Sequence, residues 1–231
     1  MIVGAGPAGL LLALFLAKKG IQTHVIDSEE ALDDQPRATH YGTAAVHELD
    51  RAGVLDDIQA ERLICRNFCW RKLDGEVIAG LDSTILDGTL DQVTCLPLNQ
   101  VSKIILKHIM ERPTATVSWG HEVIDIGQTK QGAWIDVETC NGLKRLEADY
   151  IVGCDGAKSI VRRKLFGADD FPGHTLEQQI VATNVSSSNS SYLTYLMTSI
   201  DADVLRLRQI RLSGFKLHHP PETLAYGCQD L

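Results

Sequence analysis

Apolar positions crowd the start of the chain and thin out along it. "MIV" reads as a stub of apolar strand. "AGLLLALFLAKKG" is apolar almost all round, which predicts a buried helix. Lys18 and Lys19 suit the negative end of that helix, and Gly20 suits its cap. "QTHVID" follows as a second strand. The three segments make a strand–helix–strand unit of about the 30 residues that a βαβ unit needs.

The pattern then alternates between helical and strand-like text. "DDQPRATHYG" is a loop, and "TAAVHELDRAG" has helical spacing up to Gly53. "CWRKLDGEVIAGL" predicts a hairpin around Asp74-Gly75. "NQVSKIILKHIMERP" predicts a helix with Asn99 as N-cap and Pro113 as its stop. "AWIDVETCNGLKRLEADYIVGCDG" predicts two strands joined at the Asn141-Gly142 turn. "SIVRRKLFG" is a short amphipathic helix ending at Gly167. Beyond Thr183 a serine cluster is loop-like and "ADVLRLRQIRL" alternates as a strand. "HHPPETLAYGCQDL" has no strong pattern.

Composition narrows the picture. The chain has 231 residues and a net charge of −8, with no long basic stretch. That argues against nucleic acid or an anionic membrane as the main partner. "GLLLALFLA" is too short to span a bilayer and follows no basic segment, so we expect neither a signal peptide nor a membrane span. A cytoplasmic location is the expectation. Six scattered cysteines read as free thiols. Cys65 and Cys69 lack the second pair that zinc needs, and His218-His219 lacks ligand spacing, so no metal site is expected.

Each glycine of "VGAGPAG" has a physical task. Gly4 allows the tight turn, Gly6 lets backbone approach a pyrophosphate, and Gly9 lets helix and strand pack closely. The helix N-terminus offers amide donors and a positive dipole end to phosphates. Asp27 ends the second strand, near the spacing of about 20 residues expected of a carboxylate on the adenosine ribose. FAD and NAD share this fingerprint, so the loop alone does not choose between them. Asp27 disfavours a 2′-phosphate, because two anions would repel.

A second segment, "ADYIVGCDGAKSIVRRKLFG", runs a hydrophobic strand into Cys154-Asp155-Gly156. Asp155 therefore falls at a strand's carboxyl end, where ligands of α/β folds collect. Gly156 permits close backbone approach, and Arg162 and Arg163 follow at the start of a helix. The plainer reading makes Asp155 an ordinary helix cap.

Taken in order, "VGAGPAGLLLALFLAKKG", "PRA", "LNQVSKIIL" and "VGCDGAKSIVRRKLFG" resemble the FAD-dependent aromatic hydroxylases. These are single-component flavoprotein monooxygenases of the p-hydroxybenzoate hydroxylase and phenol hydroxylase type. The chain resembles most the fungal members of secondary metabolism, over roughly residues 1–183. The resemblance implies an α/β fold: a Rossmann-like FAD-binding domain with an incomplete β-rich substrate domain. It implies an FAD-binding domain over 1–66 and 97–170, and a partial substrate domain over 67–96 and 171–231.

By the same resemblance, FAD is bound tightly and non-covalently, its ADP half against Gly4, Gly6, Gly9 and Asp27. Arg37 matches the arginine near flavin and pyrophosphate, and Gln100 the polar residue at the start of the middle helix. Asp155 and Gly156 match a motif that serves both FAD and NAD(P)H. Read without the family, Arg37 is a surface loop charge and Gln100 a first-turn helix residue. His40 and Tyr41 could face the flavin. NAD(P)H reduces the flavin, and one oxygen of O2 passes to a phenolic or polyketide-like aromatic ring. The cofactor carries that chemistry, so no catalytic side chain is named.

The chain departs from the family in three ways. Its first strand has a three-residue lead, short against a mean strand of about five or six. The pattern dissolves after "FPGHTLEQQIVATNV", and no "GDAAH"-like segment follows. The expectation is a chain shortened at both ends, with a tail read from a different exon or frame. The rival readings are a non-catalytic remnant that binds FAD weakly or not at all, and another flavoenzyme such as a reductase.

Overall fold

The computed structural model describes residues 1–35, 37–64, 66–71, 76–167, 179–185, 194–200, 208–212, 215–219 and 225–229. The first part of the chain forms β1 (Ile2–Val3), α1 (Pro7–Lys18), β2 (Thr23–Ile26), β3 (His40–Tyr41), α2 (Thr43–Ala52) and α3 (Leu55–Glu61). Then come β4 (Leu63–Ile64), β5 (Asn67–Arg71), β6 (Val77–Asp82), β7 (Thr94–Cys95), α4 (Leu98–Met110) and β8 (Ala115–Ser118). They are followed by β9 (Glu122–Gln128), β10 (Ala133–Thr139), β11 (Gly142–Ala148), β12 (Val152–Gly153) and α5 (Ile160–Phe166). The remaining strands are β13 (Gln179–Val185), β14 (Thr194–Ile200), β15 (Arg208–Leu212), β16 (Phe215–His219) and β17 (Ala225–Gln229).

Two compact units result. One comprises 1–39, 47–62 and 96–172, the other 40–46, 63–95 and 173–231.

The first unit is built on a parallel sheet in the order β12-β1-β2-β8. Ile2 and Val3 pair with Val25 and Ile26 on one side and with Val152 and Gly153 on the other. Ile2, Val3, Val25 and Ile26 are all buried. A parallel sheet covered on both faces needs such continuous apolar strands. Val3 and Ile26 face a cluster made by Val123 of β9, Ile135 and Val137 of β10 and Val161 of α5. Here β9, β10 and β11 form a separate antiparallel sheet.

Helix α1 packs against α4 and against the parallel sheet. Gly9, Leu10, Ala13, Leu14 and Ala17 of α1 are buried, as its apolar text predicts. Pro7 starts the helix, where its missing amide is not needed. Gly20 follows the end at φ +75. The Lys18 ammonium donates to the Ala52 carbonyl at 2.9 Å, tying the end of α1 to the end of α2. Burial of Val101, Ile104, Ile105 and Ile109 gives α4 one apolar face.

The structure corrects several expectations. The N-cap of α4 is Pro97, not Asn99. Asn99 lies inside the first turn, and its Nδ2 donates to the Asp34 carbonyl at 2.7 Å. The stretch 133–153 holds three strands rather than two, because the short β12 joins the parallel sheet. Helix α3 and strands β8 and β9 carry no prediction, and "AYGCQ" forms a strand where no pattern is evident.

In the second unit, β7 pairs antiparallel with β3 and β4. β5 pairs antiparallel with β6 and β17. β13 pairs with β14, and β15 with β16. The hairpin strands expected near residues 67–82 are therefore present, while Asp74-Gly75 lies outside the described residues.

Candidate nucleotide-binding site

The three loop glycines divide by function. Gly4 takes φ +104, and a Cβ on it would lie 2.4 Å from the Cys154 carbonyl oxygen. A Cβ on Gly9 would lie 1.9 Å from the Gly4 carbonyl oxygen and 3.2 Å from Cys154 Cβ. Both glycines let β1, α1 and the end of β12 touch. Gly6 is different. Its φ of −66 suits any residue, and nothing lies within 4 Å of its Cβ position. Its open side faces space at the N-terminus of α1, where free amides and the helix dipole favour an anion.

Asp27 links this loop to the end of β2. Its Oδ2 accepts the Ala5 amide at 2.6 Å and its Oδ1 the Glu29 amide at 2.9 Å. A carboxylate has about four acceptor sites, so these two bonds leave capacity for hydroxyl donors. The Asp27 amide donates to Ser118 of β8 at 3.0 Å, and the His121 amide to the Asp27 carbonyl at 2.8 Å. His121 Nδ1 lies 2.7 Å from the Trp119 carbonyl. A carbonyl only accepts, so Nδ1 carries the proton of that bond.

At the Asp155 turn the geometry realises the capping role. Asp155 Oδ1 accepts the Ser159 hydroxyl at 2.6 Å, and Oδ2 accepts the amides of Ile160 at 2.7 Å and Val161 at 3.3 Å. Ser159 Oγ in turn accepts the Arg162 amide at 3.0 Å. The carboxylate thus holds the first turn of α5. Gly156, at φ +75 with open space around its Cβ position, is the close-approach backbone of this segment. The Cys154 amide donates to Val3 at 2.7 Å. Burial, and Asp155 beside it, push the Cys154 thiol up, which keeps it protonated. Replacing Asp155 by alanine should lower stability by about 2 kcal/mol, the size of a lost charged cap. A urea midpoint unchanged from wild type would refute that role.

These segments surround one cleft of about 700 Å³. It is lined by Gly4, Gly6, Asp27, Arg37, Asp155 and Gly156 among the residues singled out from sequence. Gly9 lies behind the loop, in the packing just described. Gln100 is not part of the lining; Leu98, Asn99 and Ser102 present the α4 face that is. His40 and Tyr41 belong to β3 of the second unit. Glu29, Asp33, His121, Glu122 and Lys158 also line the cleft. No local motif marks them, since loops distant in sequence bring them there.

The loop carrying Arg37 is held in place. Asp33 Oδ1 accepts the Gln35 amide at 2.9 Å. Arg37 Nε donates to Asp33 Oδ2 in an ion pair. At φ +38, Arg37 is the one non-glycine residue with positive φ among the described residues.

A cleft at the carboxyl ends of parallel strands, with a G-x-G-x-x-G loop opening a helix and an acid ending the next strand, defines a dinucleotide-binding protein. The particular family is shown by comparison. Residues 1–210 match the family described as FAD binding domain, and the chain belongs to it. It is 36% identical over 187 residues to para-nitrophenol 4-monooxygenase of Pseudomonas sp. strain WBC-3, covering 80% of this chain and 46% of that protein. The crystal structure of p-nitrophenol 4-monooxygenase from Pseudomonas putida DLL-E4 superposes with a TM-score of 0.68 at 32% identity, over 80% of this chain and 45% of that one. Anhydrotetracycline hydroxylase from Streptomyces rimosus superposes with a TM-score of 0.70 at 25% identity, over 98% of this chain and 43% of that one. The chain spans about half the length of the curated relatives it matches. Among the described residues no helix is long and apolar enough to cross a membrane.

Proposed function

We propose that this chain carries the FAD-binding part of an NAD(P)H- and O2-using monooxygenase that hydroxylates a phenolic or polyketide-like aromatic. The observation that carries this reading is the open face of Gly6 at the N-terminus of α1, above a strand-end carboxylate, in a chain of the FAD-binding family. The relatives named monooxygenase or hydroxylase support the reaction class.

The residues present fit the ADP half of FAD. Gly6 leaves room for a pyrophosphate at the end of α1, and Asp27 retains acceptor sites for ribose hydroxyls. Gly4 and Gly9 hold the loop shape that makes this approach open. Arg37 supplies a cation to the same cleft, and Gly156 a backbone that a ligand can approach closely. Bound FAD supplies the redox and oxygen chemistry, and the protein's part is to orient it and exclude water. Most of the described elements of the second unit are strands, in keeping with a substrate-holding domain.

The test is direct. The purified chain is titrated with FAD, then NADPH is added anaerobically, and air is admitted with a panel of phenols. The expected result is a yellow complex that bleaches with NADPH, recolours in air and yields a hydroxylated phenol. No binding at micromolar FAD would overturn the proposal. Reduction and reoxidation without any hydroxylated product would move it to a different flavoenzyme.

A further inference from the structure

The nucleotide cleft has a side that no glycine of the loop serves. In the parallel sheet β1 carries the glycine loop, β2 runs to Asp27, and β8 is the next strand. The segment after β8 is fastened to the end of β2 by three backbone bonds. The Asp27 amide donates to the Ser118 carbonyl at 3.0 Å, the Gly120 amide to the Glu29 carbonyl at 2.8 Å, and the His121 amide to the Asp27 carbonyl at 2.8 Å. Gly120 makes the turn at φ +64, which a side chain disfavours. His121 is thus mounted on the backbone of the very residue whose carboxylate suits a ribose.

The imidazole is half-buried and lines the cleft beside Val123, which is buried, and Glu122, which is exposed. Its Nδ1 donates to the Trp119 carbonyl at 2.7 Å. In the neutral ring Nε2 is then an acceptor. It makes no other hydrogen bond among the described residues. The neighbouring Ser118 hydroxyl is already engaged, 2.8 Å from His24 Nε2. One acceptor of fixed tautomer therefore stands in the cleft wall on the β8 side.

We propose that His121 is a specificity-determining residue for the nucleobase of the bound dinucleotide: its Nε2 accepts the exocyclic amino group of adenine and disfavours a purine with a carbonyl there. In an ADP group the pyrophosphate, ribose and base follow in that order. With the pyrophosphate at Gly6 and the ribose at Asp27, the base falls toward β8, one strand spacing of about 4.8 Å further on. A carbonyl facing Nε2 would oppose two acceptors and leave a half-buried group unpaired, which is how a polar site rejects the wrong analogue. Glu122 is also an acceptor, but its exposed carboxylate keeps water as a partner and discriminates less. This inference rests on the FAD reading above and adds the group that reads the base.

The experiment compares FAD with its deaminated form, flavin hypoxanthine dinucleotide. Both are titrated by flavin fluorescence into the full chain at about pH 8, where imidazole rings are ordinarily neutral. Wild type should bind FAD about tenfold more tightly than the deaminated form. His121→Phe should bind the two alike, through a loss of affinity for FAD alone. His121→Gln offers an acceptor and donors on one amide, so it should also bind the two alike, with FAD affinity kept within about threefold of wild type. Equal binding of the two forms by wild type overturns the proposal. So does a tenfold preference that survives in either variant, because another acceptor such as Glu122 would then read the base. A variant that fails to fold binds neither form, and the other variant and the wild-type ratio then decide. Wild type that binds neither form refutes the FAD reading first, and this inference falls with it.

Discussion

A Gly6→Val chain is expected to fold normally and to bind FAD about 100-fold more weakly or worse, a loss of about 2.7 kcal/mol. The two halves of that result have separate causes. Nothing lies within 4 Å of the Gly6 Cβ position, and φ −66 with ψ 174 is ordinary extended backbone. A side chain there meets no protein atom at its first carbon, so stability should change by no more than about 1 kcal/mol, the scale of an N-cap exchange. The space it fills is the space through which a pyrophosphate would reach the helix N-terminus. Matched urea curves and FAD titrations would check both halves. Wild-type affinity in a folded Gly6→Val chain would mean that the cofactor does not lie against this loop.

Gly9→Ala should do the reverse. The added methyl would lie 1.9 Å from the Gly4 carbonyl oxygen, far inside contact distance, and the neighbour is backbone. To accommodate it, α1 must move away from the end of β1, and Leu10, Ala13 and Leu14, which are fully buried, move with it. The expected loss is about 3–5 kcal/mol of stability, at the top of the range for overpacking and single substitutions. Thermal unfolding would report it as a large fall in midpoint, with or without FAD. A Gly9→Ala chain as stable as wild type would show that the loop is less closely packed than its geometry requires. The pair Gly6 and Gly9 thus separates the loop's two tasks, ligand approach and chain packing, in two single substitutions.

The βαβ opening is legible in sequence because its signals are local. The all-round apolar text of α1 is buried on five residues, and the turn glycine and the terminal lysines fall where helix geometry needs them. Short elements leave weaker traces. Helix α3 buries only Leu55 and Ile58 beneath a polar sequence, so no periodicity reveals it. In β9, polar and apolar residues do not alternate cleanly, because a bulge at Ile124 shifts the register and brings Val123 and Ile126, three residues apart, to the same core.

The site is legible in its motifs and obscure in its loops. Asp27 and Gly6 can be read from spacing alone. Asp155 can be placed but not given a role, since a cap and a ligand use the same residue at a strand end. The cleft face of α4 shows how a small boundary error matters. The helix begins at Leu98, ahead of the Asn99 cap read from sequence, and each residue turns the helix by about 100°. Leu98, Asn99 and Ser102 therefore share the cleft face, and Gln100 turns away from it. His121 gains its place from tertiary folding, through its amide bond to the Asp27 carbonyl, which no local pattern encodes.

The wedge of Gly4 and Gly9 against Cys154 also bears on the order of folding. The nucleotide loop leaves the ribosome well before β12, yet its shape is fixed by that strand some 150 residues later. Until β12 emerges and pairs with β1, the loop has no back wall, and the long apolar segment beside it must wait uncovered. The loop is therefore set only once β12 has been made, and its period of exposure is the time needed to synthesise everything between.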